Sequence, residues 1–460
     1  MNTQHHLLAA DQRLSQSFIW SAQRQFFAHI GIDAWRQDIV PHHISCNPIM
    51  ARTYSRLTFA YLQDWLTHHT PQPNTPFYIV ELGAGSGRLG HHFLTDFHQL
   101  WQNSPHAHLP VKLILTDFTP TLLHFWSQNP TLQQWHQQGW LDFALFDAQQ
   151  PQPLTLLHDQ TTIPHPQHPH PTILLANYFF DSIPQDCFLV ADGLLHENLL
   201  SAYGPQPDID LNDTATLHQL TFAFEPFPAR LPYYHDPNWD AILAEYEQSL
   251  PDTVFVFPQI GLNTLRFWHQ NSPHGLLLLT ADKGYTHLPD LYDQDDPDFT
   301  LHGSFSLMVN YHALGRYTAH HNGLTLTTPH YQNNLQLLAF LFDPHTKHTP
   351  NLHQAFTHYV TQAGPDDFFA LKLLLETQYD QLDLPQLLSY LRLTGWDPQL
   401  LLDAWPHFCD LAYEAHPVWH DDIRHALSQI HQTYLPLSHP DPLLTAINDL
   451  LTQLDCEPLP

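Results

Sequence analysis

The stretch Phe77-Tyr-Ile-Val-Glu-Leu-Gly-Ala-Gly-Ser-Gly-Arg-Leu-Gly90 constrains the fold more than any other part of this chain. An apolar strand runs directly into glycines at 83, 85 and 87, and a helical pattern follows. Without a Cβ the backbone can turn sharply there and let a ligand come close. The following helix points its positive N-terminus into the same space. A dinucleotide fingerprint needs a glycine at position 88, where this chain has Arg88. Taken alone, the stretch also fits a tight strand-to-helix turn that holds no ligand.

The rest of the chain gives that turn a setting. Strands are expected at 77–82, 111–116, 141–146, 172–176 and 275–281, with helical patterns at 89–101, 121–138 and 238–250. Strands separated by helices imply a parallel sheet with helices on both faces. Continuous apolar runs such as Leu276-Leu-Leu-Leu-Thr280 suit strands buried on both sides. Asp192-Gly193 between apolar runs predicts a hairpin inside a β-rich insertion near 187–235. Segments 323–328 and 335–342 read as an antiparallel pair, and the Pro/His/Gln tract at 149–171 as a long loop.

Three regions follow: a mainly helical lead-in over 1–76, the α/β domain over 77–345, and an all-helical tail over 350–460. In the tail, helices are expected at 366–381, 384–393, 397–412, 420–434 and 442–454. Its helix pairs resemble a tetratricopeptide-like array, although no signature repeats at a fixed period. Partner contact is the role expected of it, a plain bundle packed on the sheet domain the alternative.

Composition excludes several partners. Fifteen basic against 45 acidic residues leave a formal charge of -30, which argues against nucleic acid and against anionic membranes. A basic protein would be attracted, although such a charge taken alone serves solubility first. The 39 histidines show no zinc-ligand spacing with a partner cysteine or glutamate, so no metal is expected. Four scattered cysteines without a C-x-x-C, no signal peptide and no long apolar run point to a reduced, cytoplasmic, soluble protein.

Candidate site residues gather at strand ends, where ligands of open α/β sheets bind. They are Glu81, Asp117, Asp147 and Asn177. The acid before G-x-G-x-G resembles the first motif of S-adenosylmethionine-dependent methyltransferases. That likeness assigns Glu81, Gly83, Ala84, Gly85, Ser86 and Gly87 to the cofactor turn. Asp117 is placed to accept ribose hydroxyls, or else to cap a helix, and Phe118 to pack on the adenine. Asp147, with Ala148 beside it, is placed to meet the adenine amino group.

The fourth strand delivers Ala176-Asn-Tyr-Phe-Phe-Asp-Ser-Ile-Pro184, which resembles the A-N-E-F-F-D-A-L-P motif of the MidA-like family. These are protein arginine methyltransferases whose mitochondrial members assist assembly of respiratory complex I. Asp282-Lys-Gly284 resembles the family's D-Y-G, and Asp298-Phe-Thr-Leu-His-Gly-Ser-Phe305 its D-L-T-A-H-V-D-F. The resemblance implies a Rossmann-like sheet, S-adenosyl-L-methionine as cofactor, and methyl transfer to a protein side-chain nitrogen. Three positions depart from the family: Tyr178 replaces Glu, Lys283 replaces Tyr and Ser304 replaces an acid. A guanidinium prefers carboxylates for bidentate pairing, so these changes bear on the acceptor more than on the cofactor.

Asn177 is the candidate for orienting the acceptor nitrogen, Asp181 for pairing with a cation and His302 for taking the proton. Each has a structural alternative, as turn cap, helix cap or one histidine among 39. Two other functions compete. One is amide or amine N-methylation, with Asn177-Tyr-Phe-Phe180 as a distant Asn-Pro-Pro-Tyr loop. The other is a non-catalytic assembly scaffold that binds the cofactor and recruits a partner through its tail.

Overall fold

The computed structural model describes residues 6–40, 46–207, 209–210, 218–302, 304–330, 335–343, 348–438 and 442–459. Five parallel strands run in chain order: Phe77–Leu82, Val111–Asp117, Leu141–Leu145, Thr172–Asn177 and Leu276–Asp282. In space the sheet reads third, second, first, fourth, fifth, and then the antiparallel pair Gln336–Phe342 and Leu324–Leu326. The order reverses beside the first strand, which makes the crevice beyond its carboxyl end the natural ligand position.

The strands are apolar throughout because both faces are covered. Ile79, Leu277 and Leu279 face one core together with the helices Pro48–His68 and Arg88–Gln102. Val80, Leu276 and Leu278 face the other, packed by Trp239, Tyr246, Leu265 and Trp268. This is the expected α/β architecture, with helices on both faces.

Several elements differ from the expectation. The helix expected at 121–138 is two, Pro120–Gln128 and Pro130–Gln137. Pro130 has no N–H to continue the first, and the Asn129 side chain accepts from the N–H groups of Thr131 and Leu132 to start the second. The helix expected at 397–412 likewise divides into Pro398–Asp403 and Trp405–Glu414. The loop tract holds a short antiparallel pair, Leu154–Thr155 with Thr162–Ile163.

The β-rich insertion falls within its expected span, and its sheet takes in two strands from outside it. Asp186–Ala191, Leu194–Gly204 and Thr221–Pro228 form it, joined by Thr253–Phe257 on one side and His6–Gln12 on the other. Helix-forming residues in His6–Gln12 yield here to pairing along a free sheet edge, a tertiary override of weak propensity. No helix among the described residues is long and apolar enough to cross a membrane.

The tail does more than append helices. Helix Pro350–Phe356 starts on Asp64, whose carboxylate accepts from the backbone N–H groups of Asn351 (3.2 Å) and Leu352 (2.9 Å). Leu352, Phe356 and Val360 then enter the same core as Tyr54, Phe77 and Leu277, and Leu435 and Leu437 return to it. The helices from Leu384–Leu393 to Pro442–Gln453 close over a core of their own. Truncation near residue 348 should therefore destabilise the sheet domain itself. Leu352→Ala alone should cost about 2–5 kcal/mol in chemical denaturation, as buried leucines do. A truncated chain with an unchanged melting temperature would show that the tail is dispensable.

Candidate active site

At the glycine turn the backbone takes φ of 67°, 52° and 79° at Gly83, Gly85 and Gly87. This is the left-handed region that side chains avoid. A Cβ at Gly85 would stand 2.5 Å from Trp35 Cζ2, so the indole of the N-terminal segment lies directly against the turn. A Cβ at Gly90 would stand 2.6 Å from Glu81 Oε2. Gly90 thus leaves room for the carboxylate that the first strand delivers.

Beyond the turn lies a cleft of about 530 Å³. Glu81, Gly83, Ala84, Gly85, Asp117, Phe118, Asp147, Ala148, Asn177 and Asp181 all line it. Ser86 and Gly87 are not among its lining residues: Ser86 Oγ accepts from the Arg88 N–H, and Gly87 is the N-cap of helix Arg88–Gln102. His302 ends the short strand Thr300–His302, and its side chain lies outside the described residues.

The polar groups differ in how they are held. Glu81 is buried, its Oε2 has no hydrogen-bond partner, and burial pushes its carboxyl up to about 8. Asp117 Oδ1 accepts from the Thr119 N–H (3.0 Å) and from the Thr119 hydroxyl. Burial raises the Asp117 carboxyl, and those bonds pull it back. Asp117 therefore closes the turn before helix Pro120–Gln128 while also facing the cleft.

Asp147 and Phe118 are both engaged by Arg24 from the helix Phe18–Ile30. The guanidinium makes a two-pronged pair with Asp147 at 3.1 and 2.7 Å and sits 4.4 Å from the Phe118 ring centre. The pair is about one-third exposed on each side. It is therefore a weak tether, of order 0–1 kcal/mol.

On the floor, Asn177 Oδ1 accepts from the buried Tyr54 hydroxyl at 3.0 Å. Next to it Tyr178 has a φ of 49°, rare for a bulky residue, fixed by its N–H donating to Ala281 O. Asp181 and Asp282 form a buried carboxyl pair, with the Asp181 N–H on Asp282 Oδ2 at 3.0 Å. Burial and the neighbouring acid push Asp282 far up. Burial raises Asp181 as well, but Lys283 draws it back toward the ionised form. The proton is therefore favoured on Asp282 over Asp181.

Two further walls enclose the cleft. Trp20, Gln23, Arg24 and Phe27 project into the cleft from the N-terminal helix, and Phe369 and Leu373 from the tail helix Pro365–Glu376. Positions 20, 23, 24 and 27 form one helical stripe, legible by period, but nothing local says which surface the stripe meets. The tail was expected to stand apart from the chemistry, whereas its Phe369 and Leu373 complete the mouth.

A carboxyl raised in the folded state stabilises the protein below its unfolded value and loses that contribution as pH rises. Glu81 should therefore withdraw about one proton's worth of stability between roughly pH 4.5 and 8. Glu81→Gln should abolish that slope, which denaturation at several pH values checks. Parallel wild-type and variant curves would place an ionised Glu81 in the apo protein.

The description "Putative S-adenosyl-L-methionine-dependent methyltransferase" belongs to a family whose profile matches residues 57–287, just over half of the chain. No curated protein matches it. Among solved structures, it is similar to an uncharacterized protein from Burkholderia thailandensis at 13% identity and a TM-score of 0.42, over 70% of this chain and 86% of that one. A second Burkholderia thailandensis protein, bound to S-adenosyl-homocysteine, gives 12% identity and a TM-score of 0.39, over 77% and 90%. The chain thus belongs to the MidA-like family of S-adenosyl-L-methionine-dependent methyltransferases and uses that cofactor.

Proposed function

We propose that the cleft holds the cofactor against the glycine turn and that the methyl acceptor is a protein side-chain nitrogen, arginine by the family resemblance. The residues present fit the cofactor. An orphaned carboxylate oxygen at Glu81 suits a ligand ammonium. The glycine turn leaves room for a backbone-hugging chain, and buried Asp117 suits a pair of ribose hydroxyls. Phe118 and Asp147 suit the face and edge of a purine. Arg24 now covers both, and its weak tether is one that an incoming base can displace or stack upon.

When bound, S-adenosyl-L-methionine supplies an electrophilic methyl group on its sulfonium. The chain's own residues bring the acceptor to it. Tyr54 fixes the Asn177 amide, which orients the acceptor nitrogen. Trp20, Phe27 and Phe369 line a largely apolar approach that favours near-attack alignment. Asp181, drawn toward the ionised form by Lys283, pairs with a cationic nitrogen and accepts its proton. This buried carboxylate is the observation that carries the reading. The chain's charge of -30 favours a basic protein as the acceptor.

Incubation with methyl-labelled cofactor and cell extract, followed by mass spectrometry, tests the acceptor. Label is expected on arginine side-chain nitrogens of a protein, and Asp181→Asn should abolish it while S-adenosylhomocysteine still binds. Label found only on nucleic acid or small molecules would contradict the acceptor class. Undiminished transfer by Asp181→Asn would remove that residue from the chemistry.

A further inference from the structure

We infer that His136, Asp142 and His158 form a site for one borderline divalent metal ion, of the zinc, cobalt and nickel class, at the edge of the sheet. None of the three lines the cofactor cleft. They come from three elements: His136 from the last turn of helix Pro130–Gln137, Asp142 from the third strand, and His158 from the Pro/His tract. One possible ligand atom from each lies within 4.8 Å of the others. Their sequence spacing matches no zinc motif, which is why only the folded chain reveals the group.

His136 and Asp142 are already held in place. His136 Nδ1 lies 3.0 Å from Leu141 O. A carbonyl only accepts, so Nδ1 carries the proton and the Nε2 lone pair points away from the backbone. Holding one ring nitrogen on a backbone carbonyl is how proteins fix a metal-binding imidazole. Asp142 is fully buried and clamped by three backbone N–H groups, from Phe143 (2.8 Å) and His158 (3.1 Å) on Oδ1 and Asp159 (3.0 Å) on Oδ2. The tract is thereby anchored to the strand at the residue that supplies the second imidazole.

The His158 ring stacks on His136 with centroids 3.8 Å apart and planes at 26°. Bonds of about 2.0–2.2 Å to one ion require ligand atoms roughly 3.4 Å apart. His158 is exposed and can make the remaining approach by a side-chain rotation. Two nitrogens and one oxygen select zinc-like ions over calcium or magnesium, which take oxygen ligands. A comparable group, His330 with Asp366 and Asp367, already commits its imidazole Nε2 to Asp366 at 2.6 Å.

Titration of the untagged, metal-free full chain with Co²⁺, read by visible absorption and by displacement with Zn²⁺, tests the site. Wild type should take up one equivalent more than His158→Gln, and Zn²⁺ should raise its melting temperature where the variant shows no such rise. His136→Gln should behave like His158→Gln. Because His158 is exposed, its variant should fold normally, which circular dichroism checks. Histidines elsewhere bind equally in all three proteins and cancel in the difference. Equal stoichiometry and equal thermal shifts in wild type and both variants would overturn the inference.

Discussion

A backbone that turns left-handed three times between Gly83 and Gly87 determines most of what lies around it. It lets the first strand end and a helix begin within five residues, at the reversal of strand order in the sheet. The carboxyl ends of the second, third and fourth strands then converge on one crevice, which brings Asp117, Asp147 and Asn177 beside the turn. Trp35 from the N-terminal segment packs where a side chain at Gly85 would stand. The same glycine therefore serves the internal packing of the apo chain as well as the approach of a ligand.

The cleft draws its chemistry from the sheet and its enclosure from the two ends of the chain. Strand ends supply the buried acids Glu81, Asp117 and Asp282, and the turn after the fourth strand supplies Asp181. The N-terminal helix and the tail helix supply Trp20, Phe27, Phe369 and Leu373, an apolar cover over polar groups. Removing water from such a site strengthens every charge interaction inside it.

The parallel strands and the glycine turn were legible because their signals are local: apolar runs of strand length, with glycines at fixed spacing. The ends at Leu82, Asp117 and Asn177 fall within one residue of expectation. Helix breaks at Pro130 and before Trp405 were legible in principle, since proline cannot extend a helix, but the apolar period carried across them. Other features depend on distant contacts. His6–Gln12 becomes a strand only by pairing with Leu194–Gly204, and Thr253–Phe257 by pairing with Asp186–Ala191. Arg24 reaches Asp147 across more than a hundred residues. The tail looked separable because its core is mostly its own, while a few leucines tie it to the sheet.

Asp117 lines the cleft beside the glycine turn, where the nucleoside of the cofactor is proposed to sit. Calorimetric binding of S-adenosylhomocysteine by wild type and Asp117→Asn tests it most directly. The asparagine keeps an acceptor for Thr119 and removes the charge. Hydrogen bonds to charged groups are worth roughly 1.5–3 kcal/mol, so affinity should fall on the order of tenfold or more with the melting temperature little changed. A loss under about twofold would make Asp117 a turn residue only and move the nucleoside elsewhere.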